Sequence, residues 1–131
     1  MNESRTVLVI GDDHDWADLA GLRLLALGCR VRHAPRVQDA VAAARREACD
    51  VALVDHASLS VELTELIERL RDVETQLPII VLADPRQPAT ELPLGVERCL
   101  SRLRPWRDVE HAVEEALVHR DQAPVGGTIS E

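Results

Sequence analysis

The sequence predicts a doubly wound α/β domain, a five-stranded parallel sheet with helices on both faces, and three observations carry that expectation. First, residues 6–10, 51–54 and 79–82 are short, wholly or almost wholly apolar runs rich in Val, Ile and Leu. Each is punctuated at both ends and too short for a helix, as strands buried on both faces are. Second, amphipathic helical periods recur between the runs, so strand and helix alternate. Third, 131 residues make one domain, long enough to bury a core without disulfide or metal staples.

The elements follow in order. TVLVI (residues 6–10) is the first strand and ends at Gly11-Asp12-Asp13. From Asp15 the period becomes helical: Trp16, Leu19, Ala20, Leu24 and Leu27 share one face, Asp15 caps the start, and Gly28 suits the C′ position. Residues 30–33 make a weaker strand in which Val31 has polar neighbours, as on a sheet edge. Pro35 introduces an Ala-rich helix over 37–48, with Val37, Val41, Ala44 and Ala48 inward. VALV (51–54), closed by Asp55, is the next strand, and a helix over 61–73 sets Leu63, Leu66, Ile67 and Leu70 at core spacing. Pro78 opens IIVL (79–82), followed by Ala83-Asp84. Pro85, Pro88 and Pro93 then fall close together, so the fourth helix is short or absent. Residues 98–101 are the last strand. Asp108 caps a final helix with Val109, Ala112, Val113, Ala116 and Leu117 inward. Residues 1–119 form the domain and 120–131 a flexible C-terminal tail. Five strands in this span suit the flavodoxin-like order 2-1-3-4-5, whose ligands bind beyond the carboxyl ends of the strands at the switch in strand order.

Composition excludes several function classes. The net charge of −8 argues against nucleic acid or an acidic membrane as a partner. No apolar run approaches the ~20 residues of a membrane span, and no secretory signal is visible. Cys29, Cys49 and Cys99 are odd in number and set among apolar residues, as structural thiols in a reducing cytoplasm are. All fifteen basic residues are Arg; Lys, Tyr and Phe are absent.

Chemistry concentrates at the predicted strand ends. Asp12 and Asp13 follow the first apolar run, Asp55 the second, and Asp84 the third. Any one of them is ordinary turn or capping chemistry. Together they converge on one edge, where crowded carboxylates raise one another's pKa unless a cation neutralises them. Hard oxygens on an open edge favour Mg²⁺ and present Asp55 as a nucleophile toward phosphorus.

VLVIGDD, CDVALVD and LPIIVLAD together resemble the blocks of the response-regulator receiver family over about residues 5 to 119. The resemblance implies an atypical, stand-alone receiver domain in phosphorelay signal transduction rather than an enzyme, cytoplasmic, with output through protein–protein contacts. It implies Asp55 as the phospho-acceptor, Asp12, Asp55 and the backbone carbonyl of Ala57 as ligands of a weakened Mg²⁺ site, and Asp13 as a further ligand through water. The implied partners are a histidine kinase or phosphotransfer protein and a downstream protein. The departures are Gly11 at the first acidic position, Ala83 at the hydroxyl position, and Cys99 at the switch aromatic. Arg102 or Arg104 stands where the family has Lys. Ala83 cannot hydrogen-bond a phosphoryl oxygen, and an Arg fork differs in reach from an ammonium. These losses leave a phosphorylation-independent adaptor as the alternative.

Two other classes are weaker. A flavodoxin-like module for a small ligand needs a glycine-rich phosphate loop or a placed histidine, and Gly11 alone is not such a loop. A hydrolase needs a nucleophile elbow; Ser58 and Ser60 read as loop residues. His14, His33, His56, His111 and His119 lack metal spacing. Trp16 and Trp106 read as core or rim packing, with Trp106 a candidate partner anchor.

Overall fold

In the computed structural model, which describes residues 5–84, 86 and 95–122, five parallel strands lie in the order β2-β1-β3-β4-β5. They are β1 (Thr6–Ile10), β2 (Arg30–Ala34), β3 (Val51–Asp55), β4 (Ile79–Ala83) and β5 (Val96–Ser101), and the helices are α1 (His14–Ala26), α2 (Val37–Arg46), α3 (Leu63–Val73) and α4 (Trp106–Gln122). The predicted sheet and its order are therefore present, with β2 on an edge.

Strand geometry divides the core in two, because successive side chains point to opposite faces. Leu8, Ile10, Ala52, Val54, Ile79 and Val81 pack beneath α2 and α3. Val7, Val9, Val51, Leu53, Ile80 and Leu82 pack beneath α1 and α4. Both faces of the central strands are covered, which is why their sequence reads as unbroken apolar runs rather than alternation. Residues 7–10 of β1 are all fully buried. Each such Leu or Ile contributes about 2 kcal/mol by leaving water.

Several local expectations change. The first helix is capped by Asp13 rather than Asp15: Oδ1 of Asp13 accepts the N–H of Trp16 at 3.1 Å. Its inward residues are Ala17, Ala20 and Leu24, with Trp16 packed beside them, while Leu19 and Leu27 are exposed. Gly28 does stand at C′, with φ +88°, a left-handed conformation that glycine adopts without a Cβ penalty. The second helix ends at Arg46 and buries Ala40 and Ala43 in place of Ala44 and Ala48. The last strand begins at Val96, and the last helix at Trp106 directly after Pro105, so Asp108 lies inside its first turn. That helix runs to Gln122. The short or absent helix expected between β4 and β5, and the tail from residue 123, lie outside the described residues. No helix among the described residues is long and apolar enough to cross a membrane.

The strand order reverses direction between β1 and β3. Their carboxyl ends carry Gly11-Asp12-Asp13 and Asp55 side by side.

Candidate functional site at the carboxyl ends of the strands

The pocket is built from the turns after β1, β3 and β5. Beyond Ile10 the β1 ladder continues for one bond, the Gly11 N–H donating to the Ala34 carbonyl at 3.0 Å, and His33 Nε2 donates to the Gly11 carbonyl at 2.8 Å. This fixes the backbone of Gly11 against β2. A Cβ at Gly11 would lie 2.9 Å from Asp55 Cβ and 2.9 Å from Ser58 Oγ, so only glycine permits the approach.

After Asp55 the chain enters a short 3-10 turn over His56–Ser58. Ser58 closes that turn and ties it to the first one: its hydroxyl donates to the Asp55 carbonyl at 3.0 Å and accepts the Asp12 N–H at 2.9 Å. Asp55 itself is 0% exposed. Its carboxylate lies 3.2 Å from Nη2 of Arg102, yet neither oxygen has a directed hydrogen-bond partner among the described residues. Burial pushes the Asp55 pKa up, and the charge of Arg102 opposes that shift only in part.

Arg102 is positioned by β4. Its N–H donates to the Ala83 carbonyl at 2.9 Å, which sets the turn after β5 over the pocket. The same Nη2 that faces Asp55 also hydrogen-bonds Oδ2 of Asp13. That bond, followed by the N–H of Trp16, holds the Asp13 carboxyl below the usual range. The guanidinium carbon sits 5.8 Å from the centre of the Trp16 ring, and Trp16 stacks on Trp106 with centroids 5.6 Å apart at 24°.

The structure brings some expected residues together and separates others. Asp13, Asp55 and Arg102 meet; Arg104, just before α4, instead pairs with Asp108 of its first turn at 3.1 Å, so Arg102 is the arginine that faces Asp55. Asp12 is largely exposed, its carboxylate 3.8 Å from His14 Nε2. Ala57 lies in the 3-10 turn. Ala83 contributes its backbone and has no hydroxyl to offer. Cys99 is half-buried against the α2–α3 side of the core. Asp84 is a local turn residue whose pKa is lowered chiefly by the N–H of Arg86, then by that residue's side chain. His56 is spent on the Val61 carbonyl, at 2.9 Å. Sequence reasoning missed Ser58, taken as a loop residue, and the Cβ-free approach of Gly11. The one available signal for Ser58 was its position three residues after Asp55.

An open edge presenting Asp55 was expected, and the structure has a closed one. Arg102, bonded to Asp13, stands over the carboxylate, and Ser58 lies at its base. Mg²⁺ needs several hard oxygens converging on one point. The carboxylate of Asp12 faces solvent, that of Asp13 is engaged by Trp16 and Arg102, and that of Asp55 lies under Arg102. No group of three or more His, Cys, Asp or Glu able to hold a metal occurs among the described residues. The residues as arranged do not fit a divalent cation.

No family model and no curated protein matches the sequence. Among solved structures, the chain is similar to a CheY-like response regulator receiver domain protein from Methanospirillum hungatei JF-1, at 21% identity and TM-score 0.80, over 92% of this chain and 98% of that one. It is also similar to the response regulator TrrA of Thermotoga maritima, solved in complex with Mg²⁺-BeF, at 16% identity and TM-score 0.76, over 86% and 99%. A third is the chemotaxis response regulator CheY4 of Vibrio cholerae, at 18% identity and TM-score 0.75, over 88% and 100%. At these identities the likeness is one of fold: the chain has the fold of response-regulator receiver domains.

Proposed function

We propose that this chain is a receiver-type signalling module that works as a phosphorylation-independent adaptor, its output being contact with a downstream protein. The observation that carries the reading is the enclosure of Asp55 beneath Arg102, with Gly11 and Ser58 packed against its base. A phosphoryl donor needs an approach to the carboxylate in line with the bond that breaks, and the guanidinium lies against that carboxylate at 3.2 Å. The two groups that would register a phosphoryl, a hydroxyl at position 83 and an aromatic rotor at 99, are Ala and Cys. Three free cysteines, two of them buried, suit a cytoplasmic setting for this role. The fold is used here as a rigid carrier of surfaces, not as an enzyme.

One observation favours a second reading. The buried carboxylate oxygens of Asp55 lack hydrogen bonds, which is a costly arrangement unless some state of the protein uses them. In that reading Arg102 swings aside and Asp55 accepts phosphate from a histidine kinase or phosphotransfer protein. Incubation with Mg²⁺ and acetyl phosphate or beryllofluoride separates the two. Intact mass and Trp fluorescence are followed for wild type and Asp55→Asn. The adaptor reading expects no Asp55-dependent change; a mass increase present in wild type and absent in Asp55→Asn overturns it.

A further inference from the structure

The geometry points to Arg102 as the resident cation of this pocket: its guanidinium takes the place between Asp13 and Asp55 that a divalent metal would hold, and so excludes the metal. Two carboxylates, from the ends of different strands, reach one nitrogen. Nη2 of Arg102 hydrogen-bonds Oδ2 of Asp13 and lies 3.2 Å from Oδ2 of Asp55. A single cationic atom bridging two carboxylates is the arrangement a bound metal produces, here supplied by the chain itself. An independent observation says the pocket is made for a cation. Both oxygens of Asp55 are buried and without a hydrogen-bond partner among the described residues, and Asp55 is wholly enclosed. An ionised carboxylate in that state is tolerated only beside a compensating charge.

Arg102 is held for the task at three points. Its N–H is fixed on Ala83, its guanidinium on Asp13, and its guanidinium carbon lies over the Trp16 ring. A planar, weakly hydrated guanidinium suits such a half-buried bridge better than an ammonium does. Once the guanidinium is removed, two convergent carboxylates remain around an unfilled position. Hard divalent cations bind such oxygen pairs, completing their shell with water.

This inference rests on the pocket's charge and not on the proposed signalling role; the phosphorylation experiment tests that role, and a cation titration tests this one. The full chain is titrated with Mg²⁺ alone, and separately with Mn²⁺, by calorimetry and by Trp fluorescence, since Trp16 lies beside Arg102. Arg102→Gln keeps much of the side chain's volume and hydrogen bonding, with Arg102→Ala as a second variant, and circular dichroism checks the fold. Wild type is expected to show no saturable binding in the millimolar range. Arg102→Gln is expected to bind at least about tenfold more tightly than wild type, and Arg102→Gln/Asp55→Asn to lose that binding. Wild type binding as tightly as Arg102→Gln overturns the assignment. So does a folded Arg102→Gln or Arg102→Ala that binds nothing, or binding that survives the loss of Asp55.

Discussion

Val54 and Asp55 are neighbours in β3, both fully buried, and they belong to regions stabilised in opposite ways. The sheet interior around Val54 gains from apolar area and close packing, spread over many contacts. The rim around Asp55 encloses a carboxylate with one cation, one glycine and one hydroxyl around it. In the interior a truncation costs the area and contacts it removes and leaves the remaining groups as they were. At the rim, removing one group leaves another uncompensated.

Truncating the interior should have the largest effect. Leu53→Ala is expected to lose about 4 kcal/mol in denaturant unfolding, since Leu53 is fully buried between β3 and the α1–α4 layer. A loss below about 1 kcal/mol would mean that the core collapses around the gap. Next is Arg102→Ala, expected to lose about 3 kcal/mol near neutral pH because Asp55 and Asp13 are left facing each other. An unchanged midpoint would remove the contrast between rim and interior. Third, Gly11→Ala should lose about 2 kcal/mol, because the new Cβ meets Asp55 Cβ and Ser58 Oγ at 2.9 Å. Gly11→Asp, which also adds a Cβ there, should do no better.

The smallest effect has the opposite sign. Asp55→Asn should raise stability by about 1 kcal/mol at neutral pH, since it removes a buried charge that lacks hydrogen bonds. Its pH dependence follows from the raised pKa of the folded state, caused first by burial. A carboxyl whose folded pKa is raised binds its proton more tightly when folded. Wild type therefore gains stability relative to Asp55→Asn as pH falls through that raised value. The advantage of the variant shrinks over this window, and below the ordinary carboxylate range it no longer changes. A widening gap on acidification would contradict the assignment. Asp13 has the opposite sign: its folded pKa is lowered, so the stability it supplies is present above the ordinary range and lost as pH falls through the lowered value.

The contrast also explains what the sequence could disclose. The interior was legible because burial on both faces forces unbroken apolar runs, and β1, β3 and β4 could be placed from them; the strand order came with the fold class that the alternation of elements suits. Helix faces were less so: α1 carries leucines on more than one face, and the sheet takes the stripe of Ala17, Ala20 and Leu24 while Leu19 and Leu27 face solvent. At the rim, Asp55 and Arg102 were legible as positions, through the pattern of blocks and the absence of Lys. Their relation was not. Whether Arg102 or Arg104 faces Asp55 depends on where β5 ends, and whether Asp13 caps a helix or attends a metal depends on the start of α1. Ser58 works through a hydrogen bond to a backbone carbonyl, which leaves no mark in residue type, and Gly11 matters through an absent atom.

The central claim is that Arg102 stabilises this protein by neutralising a buried Asp55, and a double-mutant cycle measures that directly. Unfolding free energies are compared for wild type, Arg102→Ala, Asp55→Asn and the double variant at neutral pH. The predicted result is non-additivity of about 1 kcal/mol: Asp55→Asn, which adds about 1 kcal/mol in wild type, recovers about 2 kcal/mol of the loss caused by Arg102→Ala. Additive effects, with the double variant as unstable as the sum of the single changes, would contradict it.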